Sequence, residues 1–278
     1  MNKPHPNNWK TPTILLGICI CAIGLYVQRP REHEYQGKRL TEWLDDLDST
    51  GPKEAADRAK EALRQMGTNA VPPLLEILTA TSYVSQREGT GQASQTEQYQ
   101  HLALRAFQAL GPVAIPVLTN FLKGETATPT ARALSQIRPE GSRLLIQALT
   151  NSDPVLRQKI ELGIESKGPD GLPFVPHLIT NLKDKDDLVR AYAARALGKI
   201  GVEPEVVVPA LIQSLQDAHA EVRLLTAQAL GEFGPQAQGA ILPLLETTKD
   251  KQGAVSRSAY TALKQIAPDA AAKAGVKP

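Results

Sequence analysis

The sequence predicts an all-α protein, a solenoid of about seven helix pairs preceded by one transmembrane helix. Three observations carry that expectation. A motif of small and apolar residues recurs at a fixed period through the second half of the chain, from Val189 to Val222 to Val255, and a period of this kind marks stacked units that each pack only on their neighbours. Aromatic residues are only 4% of the chain, which suits helix packing on Ala and Leu better than a sandwich or barrel. The stretch Thr11–Val27 (TPTILLGICICAIGLYV) contains no charge at all.

Residues 1–10 read as a short polar N-terminus carrying Lys3 and Lys10. As a helix, residues 11–27 would span roughly 25 Å, against a hydrocarbon core of about 30 Å. A cleaved signal peptide needs a small-x-small site after the apolar run, and Leu25-Tyr26-Val27-Gln28 offers none. A lipoprotein signal needs a small residue directly before its cysteine, whereas Ile18 and Ile20 precede Cys19 and Cys21. A soluble amphipathic helix would show polar residues at helical spacing, and this run is apolar all round. An uncleaved single-pass anchor is therefore expected. Lys3 and Lys10 on one side face Arg29, Arg31, Lys38 and Arg39 on the other, so counting charges does not set the orientation. The short head before a large domain resembles bacterial signal anchors, which implies an inner-membrane protein with its repeats on the extracytoplasmic side. Cys19 and Cys21 point to different helix faces, a poor geometry for a disulfide.

Residues 28–37 (QRPREHEYQG) read as a linker, with Pro30 and Gly37. Leu40, Trp43, Leu44 and Leu47 share one helical face, so residues 38–50 are expected to form a helix that covers the open side of the first repeat. The array is expected over residues 53–267. Its clearest unit pairs a helix from Asp187 to Gly201 with one from Pro204 to Leu215. Asp187 and Leu188 are placed to cap the first helix and Gly201 to end it. Pro209 opens the second-helix motif, with Pro72, Pro73, Pro116, Pro176 and Pro243 in corresponding places, where a first turn tolerates proline. An Ala-Leu core recurs at Ala62-Leu63, Ala109-Leu110, Ala133-Leu134 and Gly163-Ile164, then at Leu197, Leu230 and Leu263. Residues 81–97 (TSYVSQREGTGQASQTE) lack an apolar period and read as a flexible insertion. The unit between Leu110 and Leu134 is shortened, and residues 268–278 read as a thin tail.

Within the period, Val189-Arg190, Ala193 and Ala196-Leu197-Gly198 return as Val222-Arg223, Thr226 and Ala229-Leu230-Gly231. A degraded copy follows as Val255, Ala259 and Ala262-Leu263-Lys264. Asp184, Asp217 and Asp250, with Asn151 earlier, recur before the arginine position. This pattern resembles the HEAT-repeat family, in its short bacterial branch that includes phycobilin lyase-like repeats. The resemblance covers residues 53–267 and is strongest from 150 onward. It implies a ladder between adjacent repeats made of Asp184, Arg190, Asp217, Arg223, Asp250 and Arg257, the last arginine one residue out of step. Each aspartate would accept hydrogen bonds from loop amides and neighbouring guanidinium groups. Leu197 and Leu230 should be buried between layers, each contributing about 2 kcal/mol by transfer. The signatures of tetratricopeptide and ankyrin units are missing.

A net charge of +2 without a basic stripe argues against a nucleic-acid partner. The HEAT family includes deoxyhypusine hydroxylase, which binds iron through His-Glu pairs. Here the one such pair, His33-Glu34, lies in the linker, and His5, His101, His177 and His219 are not spaced as ligand pairs. No cofactor or metal is expected. Gly89-Thr90-Gly91 lacks the preceding strand and third glycine of a phosphate loop. What is left is a groove. The resemblance implies that the Val-Arg helices line a concave side, from which Tyr192, Arg195 and Lys199 project, then Leu225, Gln228 and Glu232, then Ser258, Thr261 and Gln265. Tyr192, Arg195 and Leu225 would be the anchors, with a solvated helix face as the alternative for each. The expected protein is a membrane-tethered scaffold that binds a protein or peptide partner without catalysis. A tetrapyrrole-handling lyase or chaperone, and a structural spacer without a dedicated ligand, stay open beside it.

Overall fold

The computed structural model describes residues 34–48, 51–79 and 92–273. The predicted polar N-terminus and membrane anchor, most of the predicted linker and most of the predicted insertion lie outside these described residues.

The end of the predicted linker is a small hairpin. Strands β1 (Glu34–Tyr35) and β2 (Lys38–Arg39) pair antiparallel, with Glu34 opposite Arg39 and Tyr35 opposite Lys38. Gln36 and Gly37 between them have positive φ (51° and 75°), the primed turn that matches strand twist. The hairpin leads directly into helix α1 (Leu40–Asp46), which is narrower than the predicted 38–50. The Arg39 backbone N–H donates to Glu42 Oε2 at 2.8 Å, closing the helix start. Leu40, Trp43, Leu44 and Leu47 are buried. Trp43 Nε1 donates to the Tyr35 carbonyl at 3.2 Å, so the hairpin and α1 hold one another.

Helix pairs then follow in sequence: α2 (Lys53–Met66) with α3 (Val71–Thr79), and α4 (Gln92–Leu110) with α5 (Ile115–Phe121). Next come α6 (Ala127–Leu134) with α7 (Glu140–Ala148), and α8 (Pro154–Ile164) with α9 (Val175–Asn181). The last are α10 (Asp187–Ile200) with α11 (Pro204–Ser214), α12 (Ala220–Glu232) with α13 (Ile241–Thr247), and α14 (Gly253–Ile266) with α15 (Pro268–Lys273). The described residues thus form an all-α, solenoid-like array. Helix α4 begins inside the stretch predicted as a loop, because Gln and Ser tolerate helix where Leu102, Ala103, Ala106 and Phe107 further along supply a buried face. The stretch Thr96–Phe121 is long and apolar enough to cross a membrane by length and composition, with a mean hydropathy of 1.4. Gly111-Pro112 divides it, and its apolar side packs on α2, α3 and α6. The predicted thin tail contains α15, whose Ala271 is buried against α14.

Two local expectations shift. The side chain that caps α10 belongs to Asp186, which accepts from the Val189 N–H at 3.0 Å; Asp187 is the first helical residue. Pro209 lies inside α11 because that helix already starts at Pro204, so the Glu205 carbonyl loses its helical donor. Gly201 ends α10 in the left-handed region (φ 65°), a conformation that costs other residues a clash at Cβ.

The long first helices of successive units stack in the order α8, α10, α12, α14. The glycine of Ala-Leu-Gly sets their separation. A Cβ on Gly198 would stand 2.6 Å from Ala229 Cα, and one on Gly231 would stand 3.1 Å from Ala262 Cα. Leu197 and Leu230 are 1% and 0% exposed, so nearly their whole transfer energy stabilises the stack.

Candidate functional site

Two edges of the stack carry polar chemistry, and they do different things. Along the loop edge, Arg157, Arg190 and Arg223 each reach the aspartate of the following unit. Arg157 Nη2 donates to Asp184 Oδ1 at 2.7 Å. Arg190 is bidentate on Asp217 at 2.7 and 3.0 Å, and Arg223 on Asp250 at 2.7 and 3.1 Å. The same guanidinium groups tie down their own loops: Arg190 Nη1 donates to the Asp184 carbonyl and Arg223 Nη1 to the Asp217 carbonyl, both at 2.8 Å. Each aspartate also accepts a backbone N–H from the loop just beyond it, from Asp186, His219 and Gln252 at 2.9, 2.9 and 2.8 Å. Burial pushes the Asp217 carboxyl up, but hydrogen bonds from Arg190 and the His219 N–H outweigh it and hold the group below the usual carboxylate range. Hydrogen bonding by Arg223 does the same for Asp250. Each guanidinium thus joins its own loop to the aspartate of the next unit, which makes this edge a structural clamp; Arg157 keeps one buried nitrogen, Nε, without a partner.

Arg257 is not a rung. The ladder position of the last unit, one period beyond Arg223, is Ser256, whose hydroxyl donates to the Thr248 carbonyl at 2.6 Å. One step further along a helix is a turn of about 100°, and that turn carries Arg257 off the loop edge onto the groove.

The groove runs across α10, α12 and α14, with a volume of ≈ 600 Å³. From α10 come Arg195 and Lys199; from α12, Leu224, Leu225, Gln228 and Glu232; from α14, Ala254, Arg257, Ser258, Thr261 and Gln265. Eight of the nine residues predicted to project into the groove therefore meet in one place. Tyr192 is the exception. It packs half-buried on a cluster of Ala191, Val222 and Leu225, filling the space between α10 and α12. Leu225 does not project as an anchor either, being only 8% exposed; it forms part of the wall. Sequence reasoning missed Leu224, Ala254 and Arg257. Leu224 and Arg257 occupy one register of the repeat, a column that is legible only when Arg257 is released from the ladder.

Charges in the groove are mostly paired between units. Arg195 Nε and Nη2 meet Glu165 at 2.8 and 3.0 Å. Lys199 Nζ meets Glu232 Oε1, one full period on, at 2.6 Å. Among the described residues no cluster of three or more His, Cys, Asp or Glu side chains could hold a metal ion.

A third polar group lies inside the stack. Glu161 on α8 is fully buried and its Oε1 accepts from Asn181 Nδ2 of α9 at 2.8 Å, while Oε2 has no partner. Burial pushes this carboxyl up to about 8, against the Asn181 hydrogen bond and with help from the charge of Asp184. Burial thus favours the neutral, protonated form of Glu161.

Comparison with known proteins places repeats in the same part of the chain. Residues 174–201 match the model of the HEAT repeat, residues 189–217 that of the PBS lyase HEAT-like repeat, and residues 208–274 that of HEAT repeats. No curated protein matches the chain. Similar solved structures include an engineered protein, at 20% identity over 85% of this chain and 71% of that one, with a TM-score of 0.43. Human deoxyhypusine hydroxylase in complex with glycerol is similar at 18% identity over 82% and 95% of the two chains, with a TM-score of 0.37. The complex of CpcE and CpcF of phycocyanin lyase from Nostoc sp. PCC7120 is similar at 18% identity over 90% and 97%, with a TM-score of 0.37.

Proposed function

We propose that the HEAT repeats of residues 174–274 serve as a scaffold that binds a segment of a partner protein in the groove across α10, α12 and α14, without catalysis. One observation carries the reading. The groove spans three consecutive units and, beside the repeating Ala229 and Ala262, is lined mostly by positions that do not repeat: Leu224 and Arg257 share one register, and Lys199, Glu232 and Gln265 another. Stacked repeats offer extended surfaces of this kind, and side chains that change from unit to unit give such a surface a direction and a sequence preference. The uncharged run at residues 11–27 supports a tether to a bacterial inner membrane, and the short head before a large domain supports repeats on the extracytoplasmic side.

A photo-crosslinking amino acid placed at Gln228 or Thr261 tests the groove in membranes. Discrete adducts are expected from both positions and none from Glu246, on the α13 side of the unit. Adducts from all three alike would refute a dedicated groove. Protease digestion of intact spheroplasts tests the orientation, and protection of the repeats would place them in the cytoplasm. The match of residues 189–217 to the PBS lyase HEAT-like repeat supports a second reading, a protein that handles tetrapyrroles. Visible absorbance of the purified full chain decides between them: a bound chromophore would replace the scaffold reading.

A further inference from the structure

We infer that the segment entering the groove is acidic, and that one of its carboxylates seats on Arg257. The inference rests on the groove being the partner-binding surface and adds the chemistry of what it takes.

Charge in the groove is compensated in order along the array until the last unit. Glu165 holds Arg195 with two contacts, and Glu232 holds Lys199. Arg257 stands exposed on the third wall, and no carboxylate of the described residues forms an ion pair with it. The guanidinium lies along its own helix toward Gly253: a Cβ on that residue would stand 3.3 Å from Nη1. Gly253 therefore leaves the room in which this cation rests. On the same face, Gln228 and Ser258 offer neutral hydrogen-bonding groups. Leu224 supplies an apolar wall in the register that Arg257 occupies one unit later.

These features define what fits. A guanidinium fork matches the two oxygens of a carboxylate. A basic segment would meet the unpaired Arg257 with like charge and would have to break the Lys199–Glu232 or Arg195–Glu165 pair to find a partner. A neutral segment would leave the arginine uncompensated as it loses water. An acidic segment alone gains a charge pair without breaking one, and an apolar neighbour of its carboxylate can lie on Leu224.

The test is selection from a display library of random short peptides against the full chain in detergent micelles. Three variants run beside the parent: Arg257→Ala, Arg257→Glu and Ala254→Trp, the last placing a large side chain in the groove at an exposed position. Circular dichroism of all four checks the fold. The parent should enrich peptides rich in Asp and Glu. An enriched peptide should bind Arg257→Ala about tenfold more weakly, lose affinity as salt rises, and fail to bind Ala254→Trp. Arg257→Glu should enrich Lys and Arg peptides in their place. Peptides blocked by Ala254→Trp yet indifferent to Arg257 and without an acidic bias would overturn the acidic assignment while leaving the groove as the binding surface. If no enriched peptide is sensitive to Ala254→Trp, both this inference and the groove reading fall.

Discussion

Replacing Glu161 by Gln tests whether the carboxyl buried between α8 and α9 is held neutral, and what that costs the fold as pH rises. In the folded protein the group is pushed up to about 8 from an ordinary value of 4.5. Between those two values the folded state keeps a proton that the unfolded chain has released. Stability must therefore fall with rising pH through this window; the contribution is fully present below the unfolded value and lost as pH approaches the folded one. The slope is about 1.4 kcal/mol per pH unit, so the loss across the window is about 5 kcal/mol, comparable to the whole stability of a marginal domain. Gln keeps the shape, stays neutral at every pH, and offers the same oxygen to Asn181 Nδ2, now 2.8 Å from Glu161 Oε1. Urea unfolding of parent and variant, at several pH values in the same detergent, gives the comparison. Histidines and exposed carboxylates are common to both and cancel in the difference. The parent should weaken from mildly acidic to mildly alkaline pH while the gap to Glu161→Gln widens by about 1.4 kcal/mol per unit. Parallel profiles would refute the argument. They would mean that the buried site accepts an ionised carboxylate, for which Arg157, whose Nε has no hydrogen-bond partner, would be the available counter-charge.

Other perturbations separate clamp, stack and groove. Arg223→Ala removes a bidentate rung and two loop contacts and should cost about 2 kcal/mol in urea unfolding, whereas Arg257→Ala, at an exposed residue, should cost less than about 0.5 kcal/mol. Because Asp217 and Asp250 titrate below the usual range, their contribution should be complete above about pH 4 and lost as pH falls through their folded values; Asp250→Asn should flatten that acid limb in a pH-melt series. Gly198→Ala should lower the stability measured in urea by about 1–3 kcal/mol, since the new Cβ meets the Ala229 backbone at 2.6 Å and backbone cannot step aside cheaply.

Much of the fold is legible from residue order because stacking is periodic. Val189, Ala193, Leu197 and their copies one period on face the neighbouring unit, and only small or apolar side chains satisfy that geometry. Ala-Leu-Gly is legible as a motif, but the role of its glycine is not; a 2.6 Å approach to Ala229 Cα appears only when two helices are placed together. Lys264 stands where Gly198 and Gly231 stand in earlier units, and among the described residues no further long helix packs on that side of α14. The hairpin at residues 34–39 escapes a sequence reading because its very short strands carry no alternation. Glu161 escapes for a different reason. A glutamate in an amphipathic helix reads as a solvent-facing residue, and only the position of Asn181 across the α8–α9 interface shows that it faces inward.

The misplacement of Arg257 shows how the period divides labour. A rung needs its arginine on the loop edge, where it meets the aspartate of the next unit: Arg157 with Asp184, Arg190 with Asp217, Arg223 with Asp250. In the last described unit the rung position, one period beyond Arg223, is Ser256. Ser256 closes the edge with a single hydroxyl. The arginine that follows it is free of the ladder, and its register is the one filled by Ala191 and Leu224 in the preceding units. Positions that repeat are committed to the stack, and a substitution there is answered by the neighbouring unit. Lys199, Glu232 and Gln265, or Leu224 and Arg257, vary along one line of the groove, and of these Lys199 and Glu232 are tied to one another across units. Toward α10 the cations are already paired with Glu165 and Glu232, and toward α14 stands the unpaired guanidinium, so the groove offers different chemistry at its two ends. If the groove takes the acidic segment proposed above, that segment should lie with its carboxylate toward α14, and reversing a bound peptide's sequence should weaken its affinity while leaving its composition unchanged. Equal affinity for the forward and reversed peptides, measured by fluorescence anisotropy on the full chain, would show that net charge alone draws the segment in and that the order of side chains along the groove reads nothing.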